Sequence, residues 1–519
     1  MSAMQAPSSP GPTEGPDPTP SEGEREPQRP DADGGGDRGD SPRVHENSQT
    51  PARSEFADRR QRPSSPTAII TRGWRAGLTR GALAFAAMAA LGQAISFGVN
   101  LAQAPGESVA TAAKLGWLYF GWFHHATITT HLTSTVEGTR AGSALSGGAG
   151  LTADVGVAMM LATFLAIAIL YRGGRIVADR TGGGAAARIV HGMKVAPAYA
   201  VLAFVVTGLV NIDVPIPHNA VATGSLQTRP WDLTWFVLPL LIAVLAGAAG
   251  GLRSGRHELL SYDPWGRRSA GAFAGGLRMF VLGLVLSFVG ILVLAAVRPA
   301  GARSYFATIS RPATGQTAAI VAHHVLLLPN QSMWVLVPAM GGCDGLSGGG
   351  LSATFLCYSK FPTAVRVNPA DLSSDVPAVR ADFGTVPSGY YLFLLVPALS
   401  VILGGRYAAR KRARLKWEAV GMGAASGVVF AILVAVGSWL ASVSAGLSSP
   451  TAGLPSASVM IGPGVWAAGL LALAWGVVGG ALGGWLGGRG FPPRAELTAP
   501  SKLVLRRAEG APRPGQGPS

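Results

Sequence analysis

The chain has 519 residues, of which 48% are hydrophobic and only 13% charged. Soluble domains carry about 25% charged residues, so an ordinary soluble globule is excluded. The formal net charge is +15, yet residues 1–66 hold 12 acidic and 8 basic side chains, so all of the basic excess lies beyond them. It falls in short loops between apolar segments, which is not a nucleic-acid surface. Arg outnumbers Lys 36 to 6 and Gly reaches 71, a composition that points to a high-GC bacterial source.

Residues 1–66 contain 12 Pro and almost no aliphatic runs. Such a segment buries too little apolar area to offset its ordering entropy and is expected to be disordered. The tail 491–519, with six Pro of its own, reads the same way. No apolar stretch sits near residue 1, so no cleavable signal peptide is expected.

About 20 apolar residues in a helix cross a bilayer core of ~30 Å. Eight uncharged stretches reach that length: roughly 81–101, 151–171, 195–214, 233–252, 279–297, 388–405, 419–441 and 464–488. They read as helices, because the apolar runs are continuous rather than alternating. Loops 172–194, 253–278 and 406–418 hold 16 Lys and Arg in 62 residues. The other connecting loops hold nine in 180. Basic loops stay in the cytoplasm, so both chain ends are expected there. Two further apolar segments, near 112–133 and 314–343, lie in loops assigned outside. Counting either as a crossing would invert every later loop. They read as re-entrant hairpins, the alternative being amphipathic helices lying along the surface.

The sequence also repeats itself. His124-His125 precedes LSGG at 145–148, and His323-His324 precedes LSGG at 346–349. GGRIVADR at 173–180 matches GGRYAARK at 404–411, and AAGGLRSGR at 248–256 matches ALGGWLGGR at 481–489. The offset rises from about 200 to 231 and 233, as one polar, Pro-rich insertion near 358–387 would cause. The expected fold is all-α: a polytopic helical membrane protein with eight spans, two re-entrant segments and two parallel repeats of about four spans each. Repeat A covers 67–256 and repeat B 257–490. Gly ladders such as Gly476, Gly480, Gly484 and Gly488 suit close helix packing in lipid.

No charged side chain falls inside a span core, which disfavours an ordinary proton-coupled carrier. No Walker loop or HExxH is present. Gly345-x-Ser347-x-Gly349 has the GxSxG spacing, but a nucleophile elbow needs a strand before it and a helix after it. The sequence therefore names no catalytic residue and no cofactor. His124, His125, His323 and His324 are the candidate metal ligands: paired across the repeats they could offer two to four nitrogens to zinc or copper. The alternative gives them hydrogen bonds that buckle a re-entrant turn. Pro329 and Asn330 break the second segment and, with Ser347, are the candidate polar groups of a path. Cys343 and Cys357 could close a 15-residue loop or remain free thiols.

From Trp74 to Arg489 the chain resembles the streptophobe family, very hydrophobic multi-pass proteins of actinobacteria without an established activity. His324-Val325-Leu326-Leu327-Leu328-Pro329-Asn330, with Trp334 four beyond, also resembles the Leu-Pro-Asn-x-x-x-Trp segment of PerM-like actinobacterial membrane proteins linked to cell division. The resemblance implies location and source and supplies no catalytic residue. The expected role is a non-catalytic scaffold of the bacterial plasma membrane, with the lipid bilayer and envelope or membrane proteins as partners. The rivals are a permease or channel between the repeats and a metal-dependent membrane enzyme or sensor.

Overall fold

The computed structural model describes residues 66–103, 109–135, 149–219, 222–229, 232–254, 264–297, 316–348, 351–358, 361–366, 380–384, 388–449 and 454–491. Residues 1–65 and 492–519, which cover nearly all of both expected tails, lie outside the described residues, as does LSGG at 145–148.

The first half contains α1 (Pro66–Thr71), α2 (Trp74–Gln103), α3 (Val109–Trp122), the hairpin β1 (Thr127–Thr135) and β2 (Ala149–Gly156), α4 (Met160–Thr181), α5 (Ala185–Met193), α6 (Ala196–Gly208), the hairpin β3 (Ile212–Asn219) and β4 (Ala222–Arg229), and α7 (Thr234–Ser254). The second half contains α8 (Pro264–Val297), α9 (Gln316–Leu326), α10 (Leu328–Ala339), the hairpin β5 (Cys343–Gly348) and β6 (Leu351–Cys357), and a separate hairpin β7 (Phe361–Arg366) and β8 (Arg380–Gly384). A 3-10 turn (Ser388–Leu394) then leads into α11 (Leu395–Arg412), followed by α12 (Lys416–Ala441), the hairpin β9 (Val443–Ser449) and β10 (Leu454–Pro463), and α13 (Val465–Gly487). The extra hairpin falls in the polar insertion.

Eight helical stretches are long and apolar enough to cross a membrane: Ile69–Val99, Met160–Thr181, Ala185–Gly208, Thr234–Ser254, Gly266–Val297, Gly389–Arg410, Lys416–Ala441 and Val465–Gly487. They match the eight expected runs in number and order. Several boundaries move: the expected starts at 81, 195 and 279 extend back to Ile69, Ala185 and Gly266, and the expected span 151–171 starts at Met160, because 149–156 is strand β2.

The all-α expectation needs an addition. Eight strands form one antiparallel sheet in the order β3-β4-β1-β2-β9-β10-β5-β6. Each half contributes two hairpins, and β2 joins β9 across the halves, with Ala153 opposite Leu447 and Val155 opposite Ala445. These hairpins all link helices at one end of the bundle, here the sheet end. The basic residues at Arg172–Arg188, Arg253, Arg267, Arg268 and Arg406–Lys416 lie at the other, the arginine end. The strands are rich in Thr, Ser, Ala and Gly, as in TITTHLTST, so a search for 20-residue apolar runs passes over them.

Neither extra apolar segment is a crossing helix. α3 has 14 residues, about 21 Å. It folds back along α2: Ser96 Oγ donates to Ala112 O at 2.6 Å, Gln93 Nε2 to Ala113 O at 3.0 Å, and Phe85 meets Phe120 edge to face. Its end sits against the first turns of α4 and α7. Met159 N–H donates to Trp122 O at 2.9 Å, and Trp235 Nε1 to Thr127 O at 2.7 Å. The second segment is two short helices, broken at Leu327.

Glycines set the close helix contacts, and they do so twice. Gly174 of α4 and Gly192 of α5 both pack on Gly247 of α7; Gly405 of α11 and Gly423 of α12 both pack on Gly480 of α13. Gly250 lies on Tyr171 O and Gly483 on Ile402 O; Gly251 lies on Arg188 O and Gly484 on Ala419 O. A methyl group at any of these would overlap backbone, so only Gly fits. The paired positions differ by the same 231 and 233 residues as the sequence matches. The buried core forms two large clusters, one around Phe120, Tyr199 and Trp235 and the other around Met279, Met333 and Phe430, and a small third one at Ala408, Ala419 and Met422.

Candidate functional site: the seam between the halves

The broken helix of the second half supplies the polar clamp of the seam. Asn330 is buried on the first turn of α10. Its Nδ2 donates to Ala158 O at 2.7 Å and Leu440 O at 3.4 Å, and its Oδ1 accepts from Met160 N–H at 3.1 Å. Two carbonyls and one amide leave a single consistent amide orientation. Met160 opens α4 of the first half, whose own preceding residue, Met159, offers no side-chain cap. Leu440 lies in the last turn of α12, where carbonyls lack helical partners. Trp334, one turn on, donates its Nε1 to the next such carbonyl, Ala441 O, at 2.9 Å. The Leu-Pro-Asn-x-x-x-Trp segment thus satisfies the end of one helix and the start of another. Pro329, expected to free backbone for a polar path, instead sits in the first turn of α10, where its missing N–H costs nothing. Ser347 is on β5 opposite Ser352, in the sheet and not in a re-entrant turn. No helix follows it directly, so the GxSxG spacing does not form an elbow.

The four candidate histidines go to four different places. His124 Nδ1 lies 2.7 Å from Phe120 O, which can only accept, so Nδ1 carries the proton. Its Nε2 then accepts from Tyr199 Oη at 2.6 Å, and no lone pair remains for a metal. His125 adopts φ 58° at the turn out of α3 and meets the Trp439 ring edge-on at 4.5 Å across the seam. Gly341, φ 99°, turns the chain out of α10 in the same manner. The structural counterpart of His125 is therefore Gly341, and the two His-His pairs are not equivalent. His323 reaches Tyr119 of the first half at 2.8 Å, and His324 Nδ1 meets Gln331 Nε2 at 2.6 Å. Among the described residues no three His, Cys, Asp or Glu side chains gather as a metal group would require.

Cys343 and Cys357 face each other across β5 and β6 and are bonded as a disulfide. Beside them lies a group the sequence reading passed over. Asp344 is fully buried, and neither carboxylate oxygen has a hydrogen-bond partner among the described residues. Burial pushes its pKa up to about 8. Lys194, between α5 and α6, is also buried; its Nζ donates to Ile69 O at 2.7 Å, Ile70 O at 2.9 Å and Arg72 O, closing the end of α1. Tyr119 and Tyr199 were missed as partners of His323 and His124. The available signal was their place in apolar runs, where a tyrosine hydroxyl needs a partner.

Two cavities follow the seam. One, of about 420 Å³, is lined by Phe164 of α4, by α8 from Leu277 to Phe288, and by Leu328, Pro329 and Ser332. The other, of about 1020 Å³, lies at the arginine end between Tyr171, Leu252 and Arg253 of the first half and Arg267, Phe273, Tyr407 and Arg412 of the second.

These features define a multi-pass helical membrane protein with two helical halves under one shared sheet. No family model matches the chain, and no curated protein or solved structure matches it either.

Proposed function

We propose that this protein is a non-catalytic scaffold of the bacterial plasma membrane, carrying the eight-stranded sheet as a platform on the extracytoplasmic face for envelope partners. The continuous β2–β9 join carries the reading: two helical halves are locked together to present one rigid surface. The basic clusters at the opposite end support a cytoplasmic position for that end and for both termini. On this reading the chain arose by tandem duplication of a four-span unit, both copies inserted the same way up. The repeated element order and the paired glycine contacts support this. α3 and α9–α10 are then re-entrant segments of the two copies. The streptophobe and PerM-like resemblances agree with the location and with an envelope role.

Photo-crosslinking amino acids at Ser347 and Ser458, both exposed on the sheet, test the proposal in cells. Defined adducts with envelope proteins are expected there, and none from Val289 on an exposed helix face. Adducts to lipid alone, with loss of solute uptake in a deletion strain, would overturn it.

The two cavities on the seam favour a second reading, a permease or channel between the halves. It requires that Ser332→Cys, in the 420 Å³ cavity, react with water-soluble thiol reagents. Absence of labelling there removes it. Ser347 cannot serve as that probe, because its place on the sheet exposes it in either case.

A further inference from the structure

The large cavity at the arginine end is not explained by a sheet platform. We propose that it binds the phosphate of an anionic membrane lipid through Arg253, Arg267 and Arg412, with the lipid's apolar chains lying along α4 and α8.

The cavity holds about 1020 Å³, more than a side-chain packing gap. Its lining includes three arginines, drawn from α7, α8 and α11 and thus from both halves, and among the described residues no carboxylate. Among the described residues the acid paired with this group is Glu418, which Arg267 and Arg268 share at 3.3 and 3.0 Å and which also accepts from Arg414 N–H. Even so, Arg267 Nε is buried without a hydrogen-bond partner among the described residues. A guanidinium with an unmet N–H beside a cavity calls for an anion. Apart from Ser269, the rest of the wall is apolar or aromatic, with Tyr171, Leu252, Phe273 and Val429 in it. Such a mixture does not suit a fully hydrated ion.

The second cavity supplies the apolar half of the fit. It adjoins the same two helices, with Phe164 on α4 and Leu277 to Phe288 on α8. Phe164 and Tyr171 stand seven residues apart, about 10 Å along α4. The seam therefore reads from guanidinium to hydrocarbon over the length of a lipid's head and upper chains. Basic pockets between membrane helices recognise lipid phosphates by this chemistry. A free phosphate shares the headgroup chemistry but has no use for the apolar run.

Thermal denaturation of the full-length protein in a neutral detergent, titrated with phosphatidylglycerol, phosphatidylcholine or inorganic phosphate, tests the assignment. Phosphatidylglycerol is expected to raise the melting temperature in a saturable way, with phosphatidylcholine and phosphate far weaker. Arg253→Gln with Arg412→Gln should raise the half-saturating concentration at least tenfold. Ala270→Trp, which fills the cavity without altering charge, should do the same and decides the matter if the double variant fails to fold. Arg175→Gln, exposed at the same end but outside the cavity, should leave it unchanged. Equal stabilisation of wild type and cavity variants, or no preference between the two lipids, overturns the site. Full stabilisation by inorganic phosphate alone overturns the lipid and assigns a soluble anion.

Discussion

Replacing Asn330 by Ala tests how the halves are held together. The side chain makes three hydrogen bonds, and Ala158, Met160 and Leu440, whose backbone it serves, are all buried. Truncation strands two carbonyls and one amide. A buried unsatisfied group costs about 1–3 kcal/mol. Hydrogen bonds between membrane helices measure nearer 0.6 kcal/mol each, because other partners can be found. The 3.4 Å bond to Leu440 O is the weakest of the three, so a total of about 3 kcal/mol is expected, toward the lower end of the range of about 2 to 9 kcal/mol that those bounds span for three groups. Asn330→Asp should lie between: in this buried site the acid is held neutral, so one oxygen still accepts from Met160 N–H and the single O–H donates to one of the two carbonyls, leaving the other stranded. Gln331→Ala removes only a bond to the half-buried His324 and should cost under about 1 kcal/mol. Thermal unfolding in mild detergent, followed by tryptophan fluorescence, reports the order: wild type, then Gln331→Ala, then Asn330→Asp, then Asn330→Ala. An Asn330→Ala protein that melts with Gln331→Ala would refute the clamp.

The paired glycines make a second prediction: Gly247→Ala and Gly480→Ala push the same backbone apart in each half and should each destabilise by about 1–3 kcal/mol. Gly421→Ala, with open space around its Cβ, should be neutral or slightly stabilising in the same denaturation assay. Asp344 makes the sheet end sensitive to pH. Its folded pKa lies above its unfolded one, so stability is full in acid and falls as pH rises from the ordinary carboxylate range through about 8. Hydrogen exchange of β5 and β6 should quicken over that window, and Asp344→Asn should flatten the response. Removing the Cys343–Cys357 bridge, which closes a separation of 14 residues, should cost up to ~3 kcal/mol. The loss should appear as faster exchange in β5 and β6, with the helices unchanged.

Much of the membrane architecture can be read from the chain alone. Eight apolar runs, three dense basic loops and two sets of glycines announce eight helices, one basic end and close helix contacts in each half. Each is a local property: a helix satisfies its own backbone, and apolar length decides whether it spans. The sheet is legible only in three dimensions. Its strands are short and polar, and β2 pairs with β9 some three hundred residues on, a partnership no periodicity encodes. The same holds for the seam. The Pro-Asn break is visible in sequence, but which helix ends Asn330 serves depends on how the two halves meet. The histidines show the opposite failure. Two identical His-His words fall at unequal points of their hairpins, because backbone turns, not letters, set the correspondence of His125 with Gly341. Local chemistry decided which segments enter lipid; side chains brought together from distant stretches decided what each polar group there does.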